Sequence, residues 1–281
     1  MGKRRLETYS DFERALRNGF GIGAGESYTP WFRAQDISSK GRSTKLPGIR
    51  VKREHHFVSD HEKRTFLIAE YQPSIIDIRE QFPLLPLSLA QDIAEQAGIS
   101  YPKHPVTKQP IVITTDFLLT SSCQTGNRYT AVPVKPSAEL LKTRVREKLE
   151  IERLWWGLLN AEWRLVTDLQ LDRIVADNLD WLSDPLRGIK KVELEDQLPS
   201  DAREQLISIL KVGLHTWEEL IQLAAKTINR DERICSKLLR AMAWERVFEV
   251  DLSIAIQREG IIRIERINTL SKGAIDYETA S

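Results

Sequence analysis

The sequence predicts an α/β protein in two parts, a mixed α/β unit followed by a smaller unit of helices and a β-ribbon. Three observations carry this. β-rich runs and helical patterns alternate between residues 59 and 182. Three helical patterns then follow one another over 201–243, with two β-rich runs behind them. The length, 281 residues, suits one large domain or two small ones at roughly 100–200 residues each.

Each element has its own signal. Residues 10–18 predict a short helix with Ser10 as N-cap. Gly19, Gly21, Gly23 and Gly25 form a glycine-rich arm. No strand precedes it and no Gly-Lys-Ser/Thr follows, so it is neither a dinucleotide fingerprint nor a P-loop, and a flexible contact segment is expected. Residues 26–55, with Pro30 and Pro47, predict irregular chain; residues 59–71 predict a helix. Ile75, Ile76 and Ile78 mark a strand over 74–82, ended by Pro83 and Pro86. The near-continuous apolar run 111–119 predicts a buried strand, turning over 121–127 at Gly126 into a second strand at 129–135, a hairpin. Ser137 caps a long helix to about Leu159; a strand at Trp163–Thr167 and a helix at 169–182 follow. The later elements begin near Pro185, with helices at 201–211, 216–227 and 231–243 and β-rich runs at 246–255 and 260–267. Three helices and a ribbon are the outline of a winged helix, although a generic helical cap with a hairpin fits the same pattern. The boundary is set at 170/171, giving units 1–170 and 171–281.

The 41% hydrophobic and 29% charged residues fit a globular chain and exclude disorder. Cys123 and Cys235 are far apart and form no CxxC, which excludes zinc ribbons and disulfide scaffolds and suits a reducing cytoplasmic setting. No run of 18 apolar residues exists, so no membrane partner is expected. The formal net charge is +1, but it is a sum of unlike parts: residues 1–64 carry a surplus of +6, and residues 171–204 a deficit of −4.

Three carboxylates and a lysine stand out. Asp116, in the buried strand, and Lys135, at the end of the next, fall at the same end of neighbouring strands. Such a pair is either a metal-and-lysine phosphodiesterase pocket or a solvated strand-end ion pair. Glu62 sits at N3 after Ser59 in a capping box, and could equally turn into a site as a metal ligand. Glu152 falls on the apolar stripe of Leu141, Val145, Leu149 and Trp156, where a carboxylate needs a partner: a metal, a lysine such as Lys135, or another ion pair. Arg33, Lys40, Arg42, Lys45, Arg50, Lys52 and Arg53, with His55 and His56, form a basic arm that either tracks a phosphate backbone or is a solvated loop.

The chain resembles the TnsA endonuclease family at Tyr28, Thr29, Pro30 and Trp31; at Gly41, Arg42 and Ser43; at His55, His56, Ser59, Asp60 and Glu62; along Asp77–Leu85; and at Thr115, Asp116, Phe117, Val134, Lys135 and Pro136. The resemblance covers roughly residues 20–170 and continues more loosely beyond. It implies a restriction-endonuclease-like (PD-(D/E)xK-type) N-terminal domain, a winged-helix-like C-terminal domain, and Mg²⁺-dependent cleavage, with Mn²⁺ able to substitute, of double-stranded DNA at the 5′ ends of a transposon. It implies a TnsB-like transposase and a TnsC-like ATPase as partners. The family's catalytic glutamate, aspartate and lysine fall on Glu62, Asp116 and Lys135. One departure stands out: two residues before the lysine, where nucleases of this pattern carry a side-chain ligand, the chain has Pro133. The Val134 carbonyl, Glu62 and Glu152 are the candidates to complete the metal shell. The rival readings are a non-catalytic DNA-binding or adaptor subunit, and a free-standing restriction or repair nuclease.

Overall fold

The computed structural model describes residues 4–36, 43–124 and 126–268. The chain divides into two compact units, Met1–Asp172 and Arg173–Ser281.

In the first unit, helix α1 (Tyr9–Arg17) is capped by Thr8 rather than Ser10. The cause is the residue at N3: Asp11 N donates to Thr8 Oγ1 and the Asp11 carboxylate accepts from Thr8 N, a reciprocal capping box. The glycine arm is folded, not loose. Phe20 bridges to Thr29, and Gly21 (φ +73°) lies so close to the sheet that a Cβ there would stand 2.5 Å from Pro83 Cγ. Strands β1 (Thr44–Pro47) and β2 (Glu54–Phe57) pair antiparallel within the stretch expected to be irregular. Then come α2 (Asp60–Tyr71), β3 (Ile75–Pro83), α3 (Leu87–Gln96), β4 (Thr114–Cys123) and β5 (Gly126–Val132). A 3₁₀ turn at Ser137–Leu141 precedes α4 (Thr143–Leu158), so the helix starts later than Ser137, and β6 (Glu162–Trp163) closes the series.

The main sheet has the order β3-β4-β5-β6, antiparallel except for the parallel β5/β6 pair. β4 lies between β3 and β5 and is covered on both faces around Phe117 and Leu118; it begins at Thr114, so Ile111, Val112 and Ile113 of the run expected to be a strand over 111–119 precede it. Leu118 points into a core with Ala90, Ile93 and Ala94 of α3 and Ile151, Trp155 and Trp156 of α4. Phe117, its neighbour, points the other way, toward Phe57 of β2, which in turn packs on Phe66 of α2, with ring centroids 6.2 and 4.9 Å apart. Burial of Leu118, Ile151, Phe57, Phe66 and Phe117 contributes about 1.5–3 kcal/mol each. The two faces thus fix α2 and α4 on opposite sides of Asp116, the residue just before Phe117.

The second unit contains α5 (Arg173–Ser183), α6 (Ile189–Glu195), α7 (Ala202–Ile209), β7 (Gly213–Thr216), α8 (Trp217–Ile228), α9 (Glu232–Trp244), β8 (Phe248–Val250), α10 (Ile256–Glu259) and β9 (Ile261–Ile267). Its antiparallel sheet has the order β7-β9-β8. Leu206, Leu220, Ala224, Leu238, Leu239, Phe248, Ile262 and Ile264 are buried. The β-rich run expected over 246–255 stops at Val250, because buried Asn178 of α5 holds the following loop: its Nδ2 donates to the Leu252 and Ile254 carbonyls and its Oδ1 accepts from Ile256 N. Strand β7 had no separate signal. No helix among the described residues is long and apolar enough to cross a membrane. Neither Cys123, which is exposed, nor Cys235, which is buried, forms a disulfide.

Candidate active site

Asp116, Lys135, Val134 and Glu62 meet at one end of the sheet. Asp116 leaves β4 one residue before the aromatic face and is 7% exposed. Its Oδ2 accepts from Lys135 Nζ at 2.6 Å and from the Val134 backbone N–H at 2.7 Å. Lys135 Nζ also donates to the Val134 carbonyl at 3.0 Å.

Pro133 explains how Val134 comes to face Asp116. Beyond β5 the chain keeps pairing with the stretch after β6: Val166 N donates to the Pro133 carbonyl at 2.9 Å, Lys135 N donates to the Val166 carbonyl at 3.0 Å, and Val134 and Val166 form a parallel bridge. Proline withholds one ladder donor there, a loss the neighbouring bonds tolerate. On its other side the Val134 N–H meets a carboxylate instead of a strand.

Glu62 arrives from α2. Ser59 caps the helix as the sequence predicts: Glu62 N donates to Ser59 Oγ at 3.2 Å. The Glu62 carboxylate accepts from Ser59 Oγ and from Val58 N, which holds it at the helix start and also faces it toward Asp116. Cap and site are therefore one arrangement, not alternatives. Burial, and then the Asp116 charge, push the Glu62 carboxyl up to about 7, against the pull of the Val58 N–H, Ser59 and Lys135. Burial works against the Lys135 ammonium, but the Asp116 carboxylate, aided by Glu152 and Glu62, outweighs it and holds Lys135 above its usual value.

Sequence reasoning missed Gln81. It stands on β3 between Glu80, paired with Phe117, and Phe82, paired with Thr115, so it faces Asp116 across the sheet. Its Nε2 lies 3.4 Å from both Glu62 Oε2 and Asp116 Oδ1, and its Oε1 accepts from Thr114 Oγ1 at 3.0 Å. Its only sequence signal is a polar residue inside a strand; the carboxylates it touches are 19 and 35 positions away.

Glu152 is 4% exposed, on the buried side of α4 with Leu149 and Trp156, although Leu141, expected on the same stripe, precedes the helix and is 82% exposed; the Glu152 Oε1 has no hydrogen-bond partner. Burial, then the Asp116 charge, push it up to about 8, with Lys135 opposing. It is not drawn into a cage with Glu62 and Asp116: among the described residues no three of His, Cys, Asp and Glu gather as metal ligands. The donor set still fits a hard divalent cation. Two buried carboxylates face one neutral amide, the Val134 carbonyl lies beside them, and the Asp116 charge raises Glu62 as it does when two carboxylates share one site.

The basic arm divides. Arg53 is buried, its guanidinium bonding both oxygens of the fully buried Glu80 at 2.8 and 2.6 Å and the Ile78 carbonyl at 2.7 Å. His55 Nδ1 lies 3.0 Å from Glu80 Oε2, and His56 N donates to Glu80 Oε1. Arg53, His55 and His56 thus do not form the exposed phosphate-binding arm expected: the Arg53 and His55 side chains turn in to Glu80, and the buried His56 ring accepts from Ala34 N and lies 3.5 Å from Glu54 Oε1. Arg50 bonds the Glu70 carbonyl, Lys45 pairs with Glu54 at the surface, Arg33 lies over the Phe20 ring, and Lys52 is exposed. Lys40 and Arg42 lie outside the described residues.

Comparison with known proteins adds two findings. A family model described as TnsA-like endonuclease N terminal matches residues 72–168, a span that includes Gln81, Asp116, Lys135 and Glu152. The chain is also 41% identical over 230 residues to the transposon Tn7 transposition protein TnsA of Escherichia coli, covering 77% of this chain and 82% of that protein.

Proposed function

The chain belongs to the TnsA family, and from that premise we propose that it is the transposition endonuclease subunit that hydrolyses phosphodiesters at the 5′ ends of a transposon. The observation that carries the reading is the contact of Lys135 Nζ with Asp116 Oδ2, 2.6 Å, with Glu62 joined to Asp116 through Gln81.

Glu62 and Asp116 would hold Mg²⁺, with the Val134 carbonyl beside them and Glu152 behind Lys135. When bound, the ion supplies Lewis-acid stabilisation of the phosphate and a more acidic water. The chain's own residues do the rest. Glu62 is fixed by Val58 N and Ser59, and Asp116 by the Val134 N–H, so the acids need little rearrangement. The Lys135 ammonium, kept charged by Asp116, orients the attacking water and stabilises negative charge growing on the phosphate.

Lys45, Lys52, Arg50 and Arg33, with Lys40 and Arg42, would contact the DNA backbone. In the second unit, the order of α7, β7, α8, α9, β8 and β9 and the sheet order β7-β9-β8 support a winged-helix reading, with α10 inserted before the last strand. The acidic stretch 171–204 leading into it favours protein contact, with the TnsC-like ATPase as the proposed partner and the TnsB-like transposase acting on the other strand. The test is strand-specific cleavage of a labelled transposon end with Mg²⁺, adding partner subunits one at a time. Cleavage of the 5′ end only in their presence supports the reading. Efficient cutting of bare DNA supports a free-standing nuclease, and no cutting in the complete assembly supports an adaptor.

A further inference from the structure

We propose that Gln81 is a positioning residue, a neutral clip that sets the separation and facing of the two metal-binding carboxylates Glu62 and Asp116. The proposal rests on the nuclease reading above.

Geometry comes first. Gln81 is 3% exposed, and its carboxamide nitrogen lies 3.4 Å from an oxygen of each acid. The amide orientation follows from its other end: Oε1 takes the Thr114 hydroxyl, so Nε2 is left for the carboxylates. Turned over, the amide would set oxygen against two acids.

The backbone points the same way. Gln81 has φ of +51° within β3, in the left-handed region that glycine occupies easily and a long side chain does not. Such a conformation persists where the surroundings over-determine it. Here the Glu80 carbonyl accepts from the buried Tyr28 hydroxyl at 3.0 Å, the Gln81 carbonyl accepts from Trp31 N at 3.2 Å, and the Glu80 side chain is tied to Arg53 and His55. The conformation aims a glutamine side chain at Asp116 on the facing strand.

The chemistry favours a neutral donor. Two carboxylates brought together repel each other, and an N–H shared between them relieves this without adding a positive charge that would compete with a divalent ion. Hydrogen bonds of this kind orient metal ligands, and their loss typically weakens metal affinity 10–100-fold.

The experiment measures Mn²⁺ binding to the full-length protein by the electron paramagnetic resonance signal of free Mn²⁺, alongside the melting temperature in EDTA. The proteins are wild type, Gln81→Leu, Gln81→Gly and Asp116→Ala. Asp116→Ala should lose binding, while Gln81→Leu and Gln81→Gly should each bind about 10–100-fold more weakly. Gln81→Gly relieves the backbone, so its melting temperature should hold while its affinity falls, a separation that a purely structural role would not produce. If both Gln81 variants bind Mn²⁺ like wild type while Asp116→Ala does not, the clip is refuted and the nuclease site stands. If Asp116→Ala binds like wild type, the metal site itself is wrong and the clip falls with it.

Discussion

Lys135 Nζ lies 2.6 Å from Asp116 Oδ2, and the same oxygen takes the Val134 N–H at 2.7 Å. Base and acid thus meet at a point fixed by the backbone. Asp116→Ala and Lys135→Ala should each reduce 5′-end cleavage by about 100-fold or more, the scale for removing a charge-stabilising group. Both should keep the wild-type circular-dichroism spectrum and assemble with partner subunits. Full activity of Asp116→Ala in the strand-specific assay would refute the assignment.

Arg53 and Glu80 form a buried pair whose loss should be felt throughout the first unit. Arg53→Ala leaves the fully buried Glu80 with only the His55 ring and the His56 N–H among the contacts described, and should cost about 3–5 kcal/mol, read by urea denaturation. DNA affinity measured on the fraction still folded should change little, because this arginine faces inward.

Glu80 also sets an acid limit. Burial raises its carboxyl, but the His55 ring and then the Arg53 bonds overcome this and hold it at about 2. A depressed folded value means stability fully present above the ordinary carboxylate range and lost as pH falls through about 2. Glu80→Gln should therefore be less stable than wild type at neutral pH, with the gap closing in acid, as followed by tryptophan fluorescence.

Glu152 has the opposite sign. Its folded value, about 8, lies above the ordinary 4.5, so its contribution is fully present below 4.5 and is lost as pH rises through 8. In EDTA, Glu152→Gln should melt higher than wild type at alkaline pH, by a few degrees on the order expected for 1–2 kcal/mol in a chain of this size. The difference should vanish at low pH. A constant difference from acid to alkali would show that Glu152 does not titrate as described.

Among the described residues of the arm, Lys45 and Lys52 are the exposed basic side chains. Replacing both by alanine should weaken DNA binding about equally across sequences and reduce the slope of log affinity against log salt by about 1 per lost phosphate contact. Fluorescence anisotropy over a salt series measures it; an unchanged slope would place the DNA elsewhere.

Much of the fold was legible because local pattern and burial agree. The apolar run 111–119, whose later part lies in β4, and the Ser59 cap of α2 are signals of that kind. The exceptions have physical causes. Helix α3 follows Pro86 as N-cap with no side-chain cap bond, so no Ser, Thr, Asp or Asn marks its start. Arg53, His55 and His56 read as an exposed basic arm because nothing local shows that Glu80, about 25 residues on, is their shared partner. Gln81 was invisible for the same reason: its importance lies in strand register, a relation between distant positions.

Asp116 is anchored by a peptide N–H, and that has a consequence for how the site tolerates change. Nineteen of the twenty amino acids offer the same donor, so position 134 can vary its side chain freely, within the limits of packing, without loosening the acid. Only a second proline, directly after Pro133, would remove the anchor. The critical substitution at this position is therefore defined by the imino ring and not by size, polarity or charge.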